Sequence, residues 1–490
     1  MNGSVIRRIL GYVLVLEAAL MLLPCAVALY YGEQQGLAYL ETAAAIGLIG
    51  AALAYRKPKI SVFYLKEGCV ATALSWIVLS ICGSLPFIIT GEIPNFTNAL
   101  FETVSGFTTT GASILSDVEA LSKCSLFWRS FTHWIGGMGV LVFILAVVPL
   151  SGGSNINILK AESPGPSVGK IVPQMRKTAR ILYYIYFGMT ALEIAFLVAG
   201  TMPFFDAVTI SFGTAGTGGF GIKNDSIAGY SDYLQWVVTV FMLLFGVNFN
   251  AYYLLLFRQF RKAVSMEEVR WYFITVFASI GIVFVNVYNM YSTAEQALSK
   301  SAFQVASIIT TTGYSTTDFD TWPVNAKLVL VLLMFVGACA GSTGGGIKVS
   351  RLIVAFKSVF KEFKSYIHPK SVSKIKLDGK PVEHEVVRST NVYLITFLAL
   401  FVTSVFIVSF EDNDLVTNFT AVAATINNIG PGLEIVGPTK NFAFLSDLSK
   451  YVLIFDMLAG RLELFPLLIM VNPSMWLEVI RHRGSRRRLK

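Results

Sequence analysis

Ten apolar runs, each near the length of a membrane span, dominate this chain and leave few folds open to it. They lie at about residues 9–30, 36–55, 68–89, 127–150, 181–200, 233–257, 271–291, 326–347, 392–410 and 451–471. About 20 helical residues cross the ~30 Å hydrocarbon core of a bilayer, and a helix satisfies all its backbone polar groups internally there. The first run is too long for the apolar part of a signal peptide and lacks a clear cleavage site, so it reads as a retained helix. Composition agrees: 54% of the 490 residues are hydrophobic and 14% are charged, whereas soluble domains carry about 25% charged residues. A soluble enzyme, a secreted disulfide scaffold and a disordered chain are excluded. The expected class is an all-α polytopic membrane protein with ten transmembrane helices in a lipid bilayer. The five cysteines stand singly without a C-x-x-C pair, and the four histidines are not grouped, so no metal box is expected.

The net charge of +9 raises the question of nucleic acid, but in a membrane chain the distribution of charge matters more than its sum. With ten spans, both termini share one side. Arg7 and Arg8, the group from Arg56 to Lys66, Lys160 to Arg180, Arg258 to Arg270, Lys348 to Arg388 and the tail Arg481 to Lys490 all fall on that side. They are the great majority of the 39 Lys and Arg residues, so the positive-inside bias makes both termini cytoplasmic and no nucleic-acid role is expected. The opposite side is richer in Asp and Glu, which gives a negative outer mouth that concentrates cations.

After the first two spans one unit recurs four times: a span, a short semi-polar helix, a Gly/Thr-rich stretch and a second span. The expected divisions are 1–66 for the N-terminal pair, then repeats at 67–178, 179–268, 269–387 and 388–490. The short helices fall at about 95–106, 203–213, 293–310 and 414–425, with Pro94, Pro203, Thr293 and Asp412 to Asp414 as starts on the outer side. The stretches that follow centre on Thr109-Thr110-Gly111, Gly216-Thr217-Gly218, Thr311-Thr312-Gly313 and Asn428-Ile429-Gly430. Copies one and three agree most closely, sharing Phe101 with Phe303 and Ser105 with Ser307 at equal offsets from the glycine.

Each short helix reads as a re-entrant half-helix whose C-terminal end, partly negative, points at the membrane centre. Non-helical backbone at that depth must be buried in protein or line water. Four such strands about one axis present rings of carbonyls that replace the water shell of a cation. Glycine permits the turn that brings carbonyls inward, and threonine adds oxygen without charge. These filter residues are therefore the expected binding site of a permeating monovalent cation.

These residues resemble the TrkH members of the Trk/Ktr/HKT potassium transporter superfamily, and the resemblance covers nearly the whole chain. It is carried by Glu67-Gly68 through Trp76 to Ser84-Leu85-Pro86-Phe87, by the stretch from Phe101 to Gly111, and by Trp134 to Gly139. Gly341-Ser342-Thr343-Gly344-Gly345-Gly346-Ile347-Lys348 and Gly460-Arg461-Leu462-Glu463 complete it. The resemblance implies potassium uptake through a single-chain pseudotetrameric pore in a bacterial inner membrane, with potassium as the transported ion and no cofactor. It implies a homodimer regulated by a cytosolic nucleotide-binding TrkA-type ring. Glycine at Gly111, Gly218, Gly313 and Gly430 implies potassium selectivity, because serine at the first filter glycine marks sodium-permeable plant members.

Gly341, Ser342, Thr343, Gly344, Gly345 and Gly346 interrupt the eighth span. Each glycine costs a helix about 1 kcal/mol relative to alanine. The expectation is a flexible intramembrane loop below the filter that blocks ions when closed. Arg461, inside the tenth span near Asp456 and Glu463, is expected below the filter as a barrier to cations that holds this loop. Lys348 reads as a cytoplasmic anchor or, alternatively, a second positive gate residue. His133 reads as packed at a helix interface, and Glu17 and Glu193 read as hydrogen-bonded between helices, with proton sites as the alternative. The segment 361–388 reads as a surface loop that docks a partner, and the tail 481–490 as a contact for lipid headgroups or the ring.

A proton- or sodium-coupled symporter also uses broken helices and repeats. The repeats here share one orientation, with every re-entrant loop outside, which favours a channel-like axis. An enzyme has no support: no nucleophile–base pair is present, and the phosphate-loop pattern fails because Ile347 stands between the glycines and Lys348.

Overall fold

The computed structural model describes residues 2–56, 64–139, 175–370 and 374–473. The inner half of the fourth expected span, the basic group from Lys160 to Lys170 and the tail 481–490 lie outside the described residues.

The N-terminal pair is formed by α1 (Gly3–Leu20), which runs through Met21 into α2 (Leu22–Tyr31), and by α3 (Gly36–Tyr55). They meet closely at Gly11 and Gly50, where a Cβ on Gly11 would lie 2.7 Å from the Gly50 carbonyl oxygen. Small residues let apolar helices approach where no hydrophobic force drives them together.

Four units follow. The first comprises α4 (Leu65–Ile89), α5 (Phe96–Phe107) and α6 (Lys123–Gly137). The second comprises α7 (Met175–Ala199), α8 (Phe204–Gly216), α9 (Asp232–Phe245) and α10 (Phe249–Leu256), after which the short α11 (Phe260–Val264) leads on. The third comprises α12 (Glu267–Val287), α13 (Ala294–Ile309), α14 (Val324–Val336) and α15 (Val349–Ile367). A small hairpin of β1 (Lys376–Leu377) and β2 (Lys380–Pro381) precedes the fourth, which comprises α16 (His384–Val408), α17 (Leu415–Ile426), α18 (Asp447–Arg461) and α19 (Phe465–Val471).

In every unit the first helix is continuous. The second is broken in units two to four: α9 and α10 meet at 91°, α14 and α15 are separated by residues 337–348, and α18 and α19 by Leu462 to Leu464. Among the described residues, six helices are therefore long and apolar enough to cross a membrane by themselves, or seven with the bent pair. The sequence pattern reads the sixth and tenth spans as unbroken lengths, because hydropathy does not register a change of direction; the break in the eighth, at its glycine run, is the one it marks. Val349 to Ile367, expected on the inner side, is a helix that follows the break in the eighth span. Part of the expected loop 361–388 is thus the end of α15, the hairpin and the start of α16.

The short helices begin where capping chemistry allows. Asn95 Oδ1 accepts from the Asn98 N–H at 3.0 Å, Thr293 Oγ1 from Gln296 at 3.2 Å and Asp414 Oδ2 from Thr417 at 2.9 Å, while Pro203 precedes α8. With 12 residues, α5 and α17 are each about 18 Å long, roughly half a bilayer. Their surroundings are fully buried, with Phe101, Phe107, Phe303 and Trp76 almost without exposure. The outer helices instead expose Leu29, Leu48, Phe277, Val285, Ile395 and Leu398. So large an apolar surface is a liability in water and is what a lipid-facing surface needs.

Candidate cation filter and its inner gate

The C-terminal ends of α5, α8, α13 and α17 all turn in the same way. The residue two places before a glycine has left-handed backbone: Thr109 (φ 56°), Thr217 (φ 53°), Thr311 (φ 60°) and Asn428 (φ 56°). The next N–H, of Thr110, Gly218, Thr312 or Ile429, reaches back five residues to the carbonyl of Ser105, Gly213, Ser307 or Ala424, at 2.8 Å in every copy. Then comes a glycine with positive φ: Gly111 (79°), Gly219 (79°), Gly313 (85°) and Gly430 (100°).

This frame corrects the register of the second copy. Gly218 occupies the place of Thr110 and Thr312, and Gly219 occupies the place of Gly111 and Gly313. Gly216 matches Thr108, Thr310 and Asn427. Two adjacent glycines left no local cue to choose between them. The recurring five-residue backbone contact decides the register, and it is visible only in three dimensions.

The four glycines form a closed ring. A Cβ on Gly111 would lie 2.0 Å from the Gly218 carbonyl oxygen, on Gly219 2.0 Å from Thr312 O, on Gly313 2.0 Å from Ile429 O, and on Gly430 2.8 Å from Thr110 O. Each copy thus presses its glycine against a carbonyl of the next, and the fourth returns to the first. Both the close approach and the positive φ exclude a side chain.

Side chains behind the ring hold it. His133, on α6, is fully buried; its Nδ1 lies 2.7 Å from Gly106 O and its Nε2 accepts from the Phe220 N–H at 3.2 Å, so it joins copies one and two. That arrangement places the proton on Nδ1. Its role exceeds the interface packing expected of it. Tyr314 Oη donates to Ile210 O at 3.0 Å and joins copies three and two. Asn428 Nδ2 donates to Thr110 Oγ1 at 2.9 Å and joins four and one.

Above the ring, Arg129 pairs with Glu102 at 2.5 Å, both buried, and its guanidinium lies 3.6 Å from the Phe220 ring centroid. The cleft around the four glycines is lined by Arg129, Lys223 and Lys440, and no carboxylate lines it among the described residues. The expected negative charge is therefore absent from the lining itself. Glu102 sits directly behind it, paired with Arg129 and bonded to Ser113 and Ile114, and other outer acids are bonded to backbone elsewhere, as Glu33 is to the Lys123 and Cys124 N–H groups.

Below the ring lies the glycine-rich loop. Its break begins at Gly337, four residues before the expected Gly341, and ends at Lys348. The Gly345 N–H donates to Thr311 Oγ1 at 2.6 Å, and a Cβ on Gly345 would lie 2.4 Å from Asn427 O. A Cβ on Gly344 would lie 2.9 Å from Thr310 O. The loop is thus seated against the inner ends of filter strands three and four, and only glycine allows that approach. Thr343 Oγ1 donates to Phe245 O at 3.3 Å, and Ser342 Oγ turns back to Cys339 O. The Gly341 carbonyl accepts from Phe249 N–H at 3.0 Å.

Arg461 reaches this loop. Its Nη1 donates to Thr343 O at 2.9 Å, and its Nη2 donates to Gly137 O at 2.8 Å and also to Gly136 O. The cation therefore ties the loop to the end of α6. The nearby acids are engaged elsewhere: Glu463 pairs with Arg351, and Asp456 accepts from Ser404 at 2.8 Å. Lys348 is buried and donates to Gly344 O, so it is part of the loop's own fold and not a cytoplasmic anchor. Glu17 and Glu193 are also fully buried; the Glu17 carboxylate meets no hydrogen-bond partner among the described residues, contrary to the inter-helix bond expected of it, whereas Glu193 faces Thr214 of the neighbouring helix. No group of metal-ligating side chains occurs among the described residues.

The class these features define is a polytopic membrane protein with a ring of backbone carbonyls built from four similar segments. The profile of TrkH, a family of cation transport proteins, matches residues 37–478, and the chain belongs to that family. It is 35% identical over 489 residues to the Trk system potassium uptake protein TrkH of Salmonella typhimurium, covering 98% of this chain and 100% of that one. It is 31% identical over 489 residues to the Trk system potassium uptake protein TrkG of Escherichia coli, covering 97% of this chain and 100% of that one. The crystal structure of the potassium transporter TrkH from Vibrio parahaemolyticus matches with a TM-score of 0.87 at 33% identity, over 97% of this chain and 100% of the other.

Proposed function

We propose that this chain is a potassium-selective uptake pore of the bacterial inner membrane. Ions pass in channel fashion through the four-copy filter, and the intramembrane loop and Arg461 gate them. The observation that carries this reading is the closed ring in which each filter glycine meets a carbonyl of the next copy. Relatives named as potassium uptake proteins support the choice of ion. A potassium ion sheds water most readily where fixed carbonyl dipoles replace its shell, and a neutral site binds it weakly enough to release it. The proposed site comprises Thr109, Thr110 and Gly111; Gly216, Thr217, Gly218 and Gly219; Thr311, Thr312 and Gly313; and Asn428, Ile429 and Gly430.

Below the filter, the loop lies against strands three and four, and Arg461 places a full positive charge at the inner side. Both oppose a cation leaving inward, which supports reading this arrangement as the closed state. Opening requires the loop to give up its contacts with Thr311 and Arg461. The reading includes ten spans, the repeat divisions at 67–178, 179–268, 269–387 and 388–490, and cytoplasmic termini. A second copy of the chain and a TrkA-type nucleotide-binding ring are its proposed partners.

The test is flux from liposomes holding the purified chain, under an imposed potential and without a proton or sodium gradient. Potassium flux well above sodium flux is expected. Flux that occurs only when a proton or sodium gradient is present overturns the pore in favour of a coupled carrier.

A further inference from the structure

The loop 337–348 has a neck, closed where the Val349 N–H donates to Ala338 O at 3.2 Å, and one carboxylate spans that neck. We infer that Glu268 is the latch that holds the gate loop shut, an inference that rests on the gating role proposed above. Glu268 stands in the first turn of α12 and is buried. Its Oε1 accepts from the Ala340 N–H at 2.6 Å, on the arm entering the loop, and from the Ser350 N–H at 3.2 Å, on the arm leaving it. Its Oε2 accepts from Asn248 Nδ2 at 3.2 Å.

Asn248 sits at the corner between α9 and α10, and its Oδ1 caps α10 by accepting from the Asn250 N–H at 2.9 Å. The same corner touches the loop directly, through Cys339 N–H to Gly246 O at 3.1 Å and Phe249 N–H to Gly341 O at 3.0 Å. One side chain therefore joins three separate pieces: both arms of the loop and the bend of the second unit. Three donors converge on it, so an ionised carboxylate suits the site better than any neutral side chain. Lys348 and Arg351 lie within its electrostatic reach and balance its charge.

The geometry separates two tasks. Arg461 and Thr311 hold the tip of the loop, whereas Glu268 holds its base. While the base is fixed, the tip has nowhere to withdraw. Glu268 is accordingly a positioning residue, which acts on ions through the loop and touches none.

The experiment is potassium and sodium flux in liposomes for the full chain and its variants. Glu268→Ala is expected to raise resting potassium flux about tenfold, a shift of about 1.4 kcal/mol in the closed-to-open balance. The potassium-to-sodium ratio should stay as it is, because the filter carbonyls are untouched. Glu268→Gln should give a smaller rise, since its amide oxygen still accepts from Ala340 and Ser350. Asn248→Ala should also raise flux, and added to Glu268→Ala it should add little. A folded Glu268→Ala protein with unaltered flux, or one whose selectivity changes with its flux, overturns the latch. If Glu268→Ala does not fold, unaltered flux in both Glu268→Gln and Asn248→Ala overturns it. Deletion of Gly341 to Gly346 separates the two ideas: unchanged flux there sinks the gate itself, whereas raised flux there with unaltered Glu268→Gln and Asn248→Ala sinks only the latch.

Discussion

Gly218 and Gly219 are adjacent and identical in chemistry, yet they are obstructed by different things. A Cβ on Gly218 would lie 2.2 Å from the His133 ring, a side chain that can be shortened. A Cβ on Gly219 would lie 2.0 Å from the Thr312 carbonyl oxygen, a part of the filter itself, and the residue has φ of 79°. Gly219→Ala should therefore abolish selective potassium flux whatever stands at position 133. Gly218→Ala should also lose flux, but its loss should be strongly non-additive with that of His133→Ala, because the second change removes the obstacle. Flux and potassium-to-sodium ratio in liposomes measure both. Additive losses for Gly218→Ala with His133→Ala, or near-normal flux in Gly219→Ala, would show that the register of the second copy is misassigned. The residue scale is also where the sequence was most legible in copies one and three. There the Thr-Thr-Thr-Gly string marks its own register, while Gly-Thr-Gly-Gly and Asn-Asn-Ile-Gly do not.

The breaks in the second helices differ in how they announce themselves. The run Gly341 to Gly346 is readable, because no helix tolerates so many glycines. The corner at Gly246 is a single glycine in an apolar run, and the break at Leu462 to Leu464 contains none. There Glu463 and Leu464 take positive φ, 54° and 71°. Such backbone costs of order 1–3 kcal/mol per residue and persists where the surroundings impose it. Here the Arg351–Glu463 pair and the Leu464 N–H to Ala459 O contact at 2.7 Å impose it. Tertiary contacts of this kind leave no local trace, which is also why Glu268, one of two adjacent acids in a basic segment, stays unremarkable until its three donors are seen. The breaks place Arg461 on the last turn before a corner, where it faces the loop. Arg461→Ala should increase single-channel conductance or flux several-fold and lower the stability of the closed state, since Thr343, Gly136 and Gly137 lose their donor. Patch recording or flux at matched protein density tests this; a fall in flux in a well-folded variant would argue against the barrier and leave Arg461 a packing residue.

At the scale of the molecule, each of the four segments in the described residues sets a long helix before a half-helix, a left-handed residue and a glycine, although only two agree well in sequence. Backbone geometry explains this: the ring asks for a half-helix, a left-handed residue and a glycine, and many side chains satisfy the rest. In the proposed reading, direction is set separately, by charge. The basic segments are expected on the side of the gate loop, and the starts of α5, α8, α13 and α17 on the opposite side. If uptake is inward and the gate lies below the filter, these two expectations must agree on one orientation. Surface cysteines test it, because the native Cys69, Cys124 and Cys339 are buried and Cys25 and Cys82 are only partly exposed. Lys440 and Lys361 are both exposed, the first beside the filter mouth and the second on α15 beyond the gate loop. A membrane-impermeant maleimide should label Lys440→Cys in intact cells and Lys361→Cys only after the membrane is opened. The reverse pattern would place the gate outside. It would also break the link between the positive-inside bias and uptake on which the orientation rests.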